Sequence, residues 1–546
     1  MIALLLLAPA VVVAAPVSIP ARWTPRERAA ATAVTVEALT ARTRFLADDL
    51  LEGRAPASRG DELAMRYVAG EYERLGLRPA GDAGGWLQRF EIVGMRGQVT
   101  APPTLRAPDG RTLVLHPPED AIVAPGVQQP AVALERAEVV FVGYGITAPE
   151  QRWDDWKGAD VRGKVLLVMN NDPEADPARF GGKARLYYGR WSYKYEEAAR
   201  RGAAGVIIIH TTPSAAYPWQ VVQTSWDGEQ FELPSTGEPT VKAKMWATEE
   251  AARKIAALGG QDLDALRARA ERDDFRPVPL GVTLSLAMRV QTRRLETANV
   301  LGVVPGSDPK LADEMVVVSA HHDHLGVRTS KEGDAIYNGA LDNASGVAAL
   351  LSIADGVARG KPKRSVLFAA VAAEESGLLG SQYLCAHPPV PPARIAADLN
   401  FDGLDIWGRT RDVTLIGLGK SSLDDVVRAA AAQQGREVKP DAFPERGMFY
   451  RSDQFNFARI GVPSVYASSG TDFVGRPAGW GRERIDEYVR VRYHQPSDQI
   501  DASWDWSGAL DDVRLLTVVA LRLADAAAMP RWNKGDEFEA ARPRLP

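Results

Sequence analysis

Three of the seven histidines in this chain fall in one octapeptide, SAHHDHLG, as His321, His322 and His324. Acidic residues recur after it: Asp323 in the same motif, Asp342 in NGALDNASGVAALL, the pair Glu374–Glu375 in AAEESGLLGS, and Asp402 in LNFDG. A further histidine, His494, sits in YHQPSDQID near the C-terminus. Imidazoles and carboxylates without a thiolate are the donor set of a hydrolytic metal centre, in which an open coordination position activates water. One catalytic ion takes three protein ligands. More candidates than that point to two ions sharing one carboxylate. Carboxylates crowded into one cleft repel, and cations relieve that cost. The adjacent glutamates suggest divided labour, one as ligand and one as base.

The elements around these residues must bring them together. From about residue 280 to 530, β-rich runs alternate with helical patterns. The runs Val316–Ser319, Val366–Ala373, Ile395–Phe401, Val413–Leu418 and Val462–Ala467 read as strands. This alternation predicts an α/β fold with a mostly parallel central sheet flanked by helices. In such sheets functional residues gather beyond the carboxyl ends of the strands. His321 and Asp323 follow the first run, Glu374 and Glu375 the second, and Asp402 ends the third. Asp342 opens a helical pattern, and His494 lies in a loop able to close over the site. Singly, each has a plainer role: a surface turn, an acidic helix start, an N-cap. Together they fall where the sheet topology needs them.

Other chemistry is absent or weak. There is no HExxH and no GxSxG. GLGKSS (Gly417–Ser422) has Thr414 where a phosphate loop needs its first glycine, so it reads as a strand-to-helix turn. Asn343-Ala-Ser345 fits a glycosylation pattern but sits at a helix start, where capping is expected.

The 546 residues are 45% hydrophobic and 25% charged, which predicts two or three globular domains. The net charge of −5 and the lack of a basic stripe argue against a nucleic-acid partner. The single cysteine, Cys385, excludes intrachain disulfides and is expected to pack as a small hydrophobe. Residues 1–15, MIALLLLAPAVVVAA, read as a cleavable export signal, too short to span a bilayer. A secreted or periplasmic protein with no stable membrane anchor is the expectation. Residues about 27–76 read as helical, with a break at Gly53 and Pro56, and Trp86–Gly94 as a strand. Residues 100–130, rich in Pro and Gly, read as a boundary. A compact α/β module of its own follows, with strands in AEVVFVGYGI and GKVLLVMNN and a helix–Gly–strand unit in YKYEEAARRGAAGVIIIHTT. His210 is its one candidate ligand and is expected to pack.

In SAHHDHLG, NGALDNASGVAALL, AAEESGLLGS, LNFDG, YRSDQFNFARIGVPSV and YHQPSDQID, the chain resembles the co-catalytic dinuclear zinc exopeptidases of the bacterial aminopeptidase type. Wider relatives are the glutamate carboxypeptidases and transferrin receptors. The resemblance implies a catalytic domain at 280–530, its N-terminal part at 23–125, and an inserted protease-associated domain at 130–275. It also implies two Zn2+ per chain, with Co2+ or Mn2+ as substitutes. Asp342 would bridge both ions, His321 and Asp402 complete one, and Glu375 and His494 the other. Glu374 would be the general base and acid, Asp323 would orient His321 through its ring N–H, and Tyr493 would stabilise the oxyanion. The family often has a cis peptide after the bridging aspartate, here Asp342–Asn343. His322 and His324 match variable places and take no ligand role.

The function this implies is release of N-terminal residues from peptides by a metal-activated water. The alternatives are a carboxypeptidase or other amidohydrolase on the same scaffold, or a non-catalytic receptor. A carboxypeptidase holds a carboxylate, commonly with an arginine fork. Arg451 in FYRSDQF is the one motif-borne arginine for that, and a surface or interdomain salt bridge is expected of it instead. Tyr450, beside it, has an open role.

Overall fold

The computed structural model of the protein describes residues 19–543 except 177, 227 and 329–332. The export signal expected at 1–15 lies outside the described residues.

Three strands carry the site: Met315–His321, Ser365–Val371 and Ile395–Phe401. Every residue of each is buried, as their unbroken apolar sequences require of strands covered on both faces. Met315–His321 lies in the middle and runs parallel to both neighbours. Its register pairs His321 with Val371 and Ala320 with Phe401. The three carboxyl ends are therefore level, and the chain leaves them at one edge. Ser464–Ser469 extends the parallel set beyond Ile395–Phe401, followed by antiparallel Asp412–Ile416.

Alternate residues of the central strand feed opposite layers. Val316, Val318 and Ala320 pack with the helices Pro25–Thr32, Val36–Leu46, Gly346–Gly360 and Ser507–Asp525. Met315 and Val317 pack with Leu384, Cys385 and Phe457 from helices Leu379–Ala386 and Gln454–Arg459. Cys385 is thus the small buried hydrophobe expected of it. Helix Arg59–Arg74 buries Ala64, Met65, Val68 and Tyr72 at helical spacing, with Ser58 capping its start. The predicted break at Gly53 is real: Gly53 sits at φ +66 in the turn Asp49–Arg54.

A second body continues the same sheet, joined to it where Val278–Val304 pairs with Ala131–Phe141. Strands Ala131–Phe141, Val165–Met169, Gly205–His210 and Ala243–Thr248 are parallel in that order, and Ala121–Pro125 closes the edge antiparallel. Helix Trp191–Arg200 and strand Gly205–His210 flank Gly202, matching the helix–Gly–strand reading. Two long antiparallel strands, Leu87–Arg106 and Val278–Val304, run from beside the strands that end at His321, Val371 and Phe401 into this body. Its core draws on residues from Val93 to Val290, including Leu105, Leu115 and Ala121. The stretch at 100–130 is therefore built into the second body. Its prolines mislead because Pro102 and Pro103 sit where the ladder with Ser285–Ala287 shifts register, a place that needs no proline N–H. Among the described residues, no helix is long and apolar enough to cross a membrane.

Candidate metal centre

At the level strand ends, donor atoms of His321, Asp342 and Asp402 gather within 4.8 Å of one another, and so do those of His324, Asp342 and Glu375. Asp342 belongs to both groups. His321 Nε2 lies 3.3 Å from Asp402 Oδ1 and 3.3 Å from Asp342 Oδ1. His494 Nε2 lies 3.1 Å from Glu375 Oε2 and 3.3 Å from Asp342 Oδ2. That nitrogen is buried and makes no properly directed hydrogen bond. A ring nitrogen facing two carboxylates without bonding them, beside a second cluster of the same kind, suits shared cations. All five residues expected as ligands converge here.

The position shared by the two donor groups is prepared by its turn. Asp342 sits at φ −109, ψ 93 in the turn before helix Gly346–Gly360, and the Asp342–Asn343 peptide is cis. Asn343 is the cap expected from its position: its Oδ1 accepts from Gly346 N at 3.0 Å and Gly403 N at 2.9 Å. Its full burial leaves no room for a glycan.

Electrostatics separate the two glutamates. Burial, with Asp402, Glu375 and Asp453 nearby, holds the Glu374 proton affinity well above the carboxylate range against the pull of His321. Burial acts the same way on Glu375, but His494 and His324 outweigh it and hold Glu375 at about 2. Burial opposes the charge on His494 too, yet Glu375 and Asp342 push it up to about 9. Two neighbouring carboxyls with proton affinities driven apart are suited to different tasks.

Asp323 is used differently from the expectation. His321 Nδ1 is nearest the Asp323 backbone carbonyl, at 3.2 Å, and 3.7 Å from its carboxylate. That carboxylate accepts from the backbone N–H of Glu374 at 3.0 Å and of Glu375 at 3.3 Å. It fixes the glutamate loop as well as facing the histidine.

Several neighbours were not legible as site residues. His324 Nδ1 is 2.7 Å from Glu375 Oε1, and Gly339, at φ +56, lets the chain pass where a Cβ would lie 2.5 Å from the His324 ring. The Asp498 carboxylate accepts from Leu341 N and Asp342 N, both at 3.1 Å. The buried Arg54 guanidinium donates to the carbonyls of His322, Asn338 and Gly339, tying together the two loops that carry His321 and Asp342. Ser225, from the second body, has its Oγ 2.8 Å from His494 Nδ1. His322 is structural: its Nε2 is 2.9 Å from the buried Asp61 Oδ1.

Tyr493 stacks on His494 with ring centroids 3.9 Å apart and lines the cleft with Glu374 and Asp342. Burial keeps its phenol protonated. Tyr450 lies apart, its hydroxyl donating to Glu537 Oε1 at 2.6 Å. Arg451 corrects its expectation. Its guanidinium lies over the Tyr217 ring at 5.2 Å and hydrogen-bonds Tyr493, and it makes no salt bridge to a described carboxylate. Its position against Tyr493 turns it inward, away from surface acids.

Residues 299–518 match the model of Peptidase family M28. Leucine aminopeptidase 1 of Trichophyton rubrum is 36% identical over 110 residues, 19% of this chain and 28% of that protein. A probable zinc metalloprotease of Pyrenophora teres f. teres (strain 0-1) is 36% identical over 104 residues, 19% of this chain and 22% of that one. The chain thus spans about a quarter of the length of these curated relatives. The solved aminopeptidase from Aneurinibacillus sp. strain AM-1 shares the fold: TM-score 0.52 at 20% identity, over 92% of this chain and 97% of that one. The span matched by the family model contains His321, Asp342, Glu374, Glu375, Asp402 and His494. Over residues 299–518, which carry these side chains, the chain is similar to peptidase family M28.

Proposed function

We propose that the protein is a zinc-dependent exopeptidase, an aminopeptidase that releases N-terminal residues from peptides. The observation that carries this reading is the sharing of Asp342 by two donor clusters at the carboxyl edge of the sheet. His321, Asp342 and Asp402 would hold one cation, and Asp342, Glu375 and His494 the other, with His324 against Glu375. Two divalent cations there would activate a water and polarise the scissile carbonyl. Zinc suits this nitrogen and oxygen donor set, and cobalt or manganese would substitute.

The protein's own groups supply the rest. Glu374 Oε2, with its raised proton affinity, takes the proton of the attacking water and returns it to the leaving amine. The Tyr493 hydroxyl donates to the developing oxyanion. Asp323 fixes the loop that carries Glu374. The carboxylates of Asp402 and Glu374 give a free α-ammonium its counter-charge.

The second body supports a protease-associated reading, in which it flanks the cleft and limits substrate size. Gln220 of this body donates to Gln495 Oε1 at 2.8 Å, next to His494. Residues 1–15 support export, and hence a secreted or periplasmic enzyme acting on peptides.

The test is metal analysis of active protein together with cleavage of a peptide and its N-acetylated form. The expected result is a bound divalent transition metal and cleavage abolished by acetylation. Active protein free of such metal overturns the reading. Cleavage of the acetylated peptide moves it to a carboxypeptidase.

A further inference from the structure

Two cavities meet at Tyr217, Glu374, Arg451 and Tyr493. One continues past Asp342 and Asp402 into the catalytic body, among Phe443, Met448 and Phe473. The other continues past Glu375 and His494 into the second body. A peptide whose α-ammonium sits at Asp402 and Glu374 puts its first side chain in the first cavity. The residues after the cleaved bond then follow the second.

Aromatic rings of the second body wall that second path. Trp191 and Tyr195 come from helix Trp191–Arg200, and Trp226 ends helix Trp219–Ser225. Trp191 and Trp226 meet edge to face with ring centroids 5.6 Å apart. Tyr195 lies edge-on to both, 6.1 Å from Trp191 and 6.2 Å from Trp226. Aromatic quadrupoles favour this arrangement. The Tyr195 hydroxyl donates to the Met245 carbonyl at 3.2 Å, so its polar end is spent and its ring is held. Val222 packs in the same core and lines the same cavity. Both indoles stay only partly buried. Clustered tryptophan and tyrosine of this kind are the side chains that most often anchor a ligand.

Charge at the far end is answered within the chain. Lys244 pairs with Glu232, and its ammonium lies over the Tyr195 ring at 5.8 Å. What that end offers a substrate is apolar area. The recess is also held at a set distance from the reacting centre. Gln220 and Ser225 tie helix Trp219–Ser225 to Gln495 and His494, each at 2.8 Å. The helix that touches the histidine therefore also places Val222 and Trp226, and a preformed recess binds without an ordering cost.

We propose that Trp191, Tyr195 and Trp226, with Val222, form a subsite for an aromatic side chain on the leaving side of the cleaved bond. This rests on the aminopeptidase reading above. It makes the favoured substrates peptides that carry an aromatic residue one or two places after that bond.

The experiment uses the metal-loaded full chain and three tripeptide amides: leucyl-alanyl-alaninamide, leucyl-phenylalanyl-alaninamide and leucyl-alanyl-phenylalaninamide. The expected result is a kcat/KM about tenfold or more higher for a phenylalanine-bearing substrate than for the alanine one, carried by KM, as burial of one aromatic side chain supplies. A gain with phenylalanine second assigns the subsite to the residue next to the bond. A gain with phenylalanine third assigns it to the residue beyond. Equal rates on all three overturn the subsite and leave the aminopeptidase reading standing. No cleavage of any overturns both. In Trp226→Ala the ratio of phenylalanine to alanine substrate should fall toward one, and Trp226→Phe should restore part of it. A ratio that persists in Trp226→Ala overturns the assignment of Trp226. The three-substrate comparison on the unaltered chain decides the subsite even where Trp226→Ala does not fold.

Discussion

Ser225 and His494 meet across the two bodies, Oγ to Nδ1 at 2.8 Å, although 269 positions separate them in the chain. A histidine that presents Nε2 to a cation carries its proton on Nδ1, so Nδ1–H donates to the serine oxygen. The second body thus sets the ring of a residue proposed as a metal ligand.

The first prediction follows from that bond. Ser225→Ala should weaken zinc affinity by about 10–100-fold, the usual effect of losing a partner that orients a ligand. Ser225→Thr, which keeps the hydroxyl, should retain affinity near the wild type. Competition with a chelator measures both. Equal affinity in Ser225→Ala would show the contact to be incidental.

The second prediction separates the acids. Asp342→Ala should release metal and abolish activity, because both clusters lose their shared member. Glu374→Gln should keep its metal and lose turnover by about 10²–10⁴-fold, the range for loss of a general base. Glu375→Gln should lose metal. Elemental analysis beside single-turnover rates reads all three, and matching metal loss in both glutamate variants would refute the division.

The third prediction concerns Arg54. Its four carbonyl contacts, to Leu46, His322, Asn338 and Gly339, hold the loops of His322 and Gly339, and burial lowers its own proton affinity to about 10 against the pull of Asp323 and Asp342. Arg54→Met should cost about 3–5 kcal/mol, as loss of one partner in a buried charged network does. Arg54→Lys should not restore stability fully, since a point charge lacks the fork that spans two loops. Urea unfolding of the two variants is the measurement.

The fourth prediction is a pH dependence in the second body. His210 is buried among Trp219 and Trp246, its Nε2 is 3.1 Å from the Tyr217 carbonyl, and burial lowers its pKa from 6.5 to about 4. The folded chain keeps His210 neutral where the unfolded chain is already protonated. Its contribution is therefore full above pH 6.5 and lost as pH falls toward 4, by roughly 3 kcal/mol at about 1.4 kcal/mol per pH unit. His210→Gln should flatten the melting temperature of metal-free protein across that interval. An unchanged slope would assign the acid loss to other groups.

Much of this site was legible in sequence, for a physical reason. Strand ends are marked by abrupt passage from apolar runs to acids, so His321, Glu374, Glu375 and Asp402 could be placed at one sheet edge before any coordinates. The helix, Gly202 and strand Gly205–His210 were legible the same way. Asp498, Arg54 and Ser225 were not, because each works through backbone groups or a single ring nitrogen far away in the chain, and such bonds leave no spacing pattern. His324 falls at a variable place of the resembled motif, yet its Nδ1 lies 2.7 Å from Glu375 Oε1, a contact that no spacing in the sequence marks. Pro102 and Pro103 suggested a boundary where the ladder merely skips.

The paired strands Leu87–Arg106 and Val278–Val304 also fix how the two bodies can move. They form a beam that starts beside Ser365–Val371 and ends inside the second core, with its register shift confined to the stretch around Pro102 and Pro103. Bending it would break ladder hydrogen bonds, and no loop lies along it to absorb a change in φ and ψ. The protein is in this respect a caliper with a rigid arm, whose gauge is set by the number of residues in the beam. Lengthening both strands by two residues would widen the jaw while keeping every side chain on its original face.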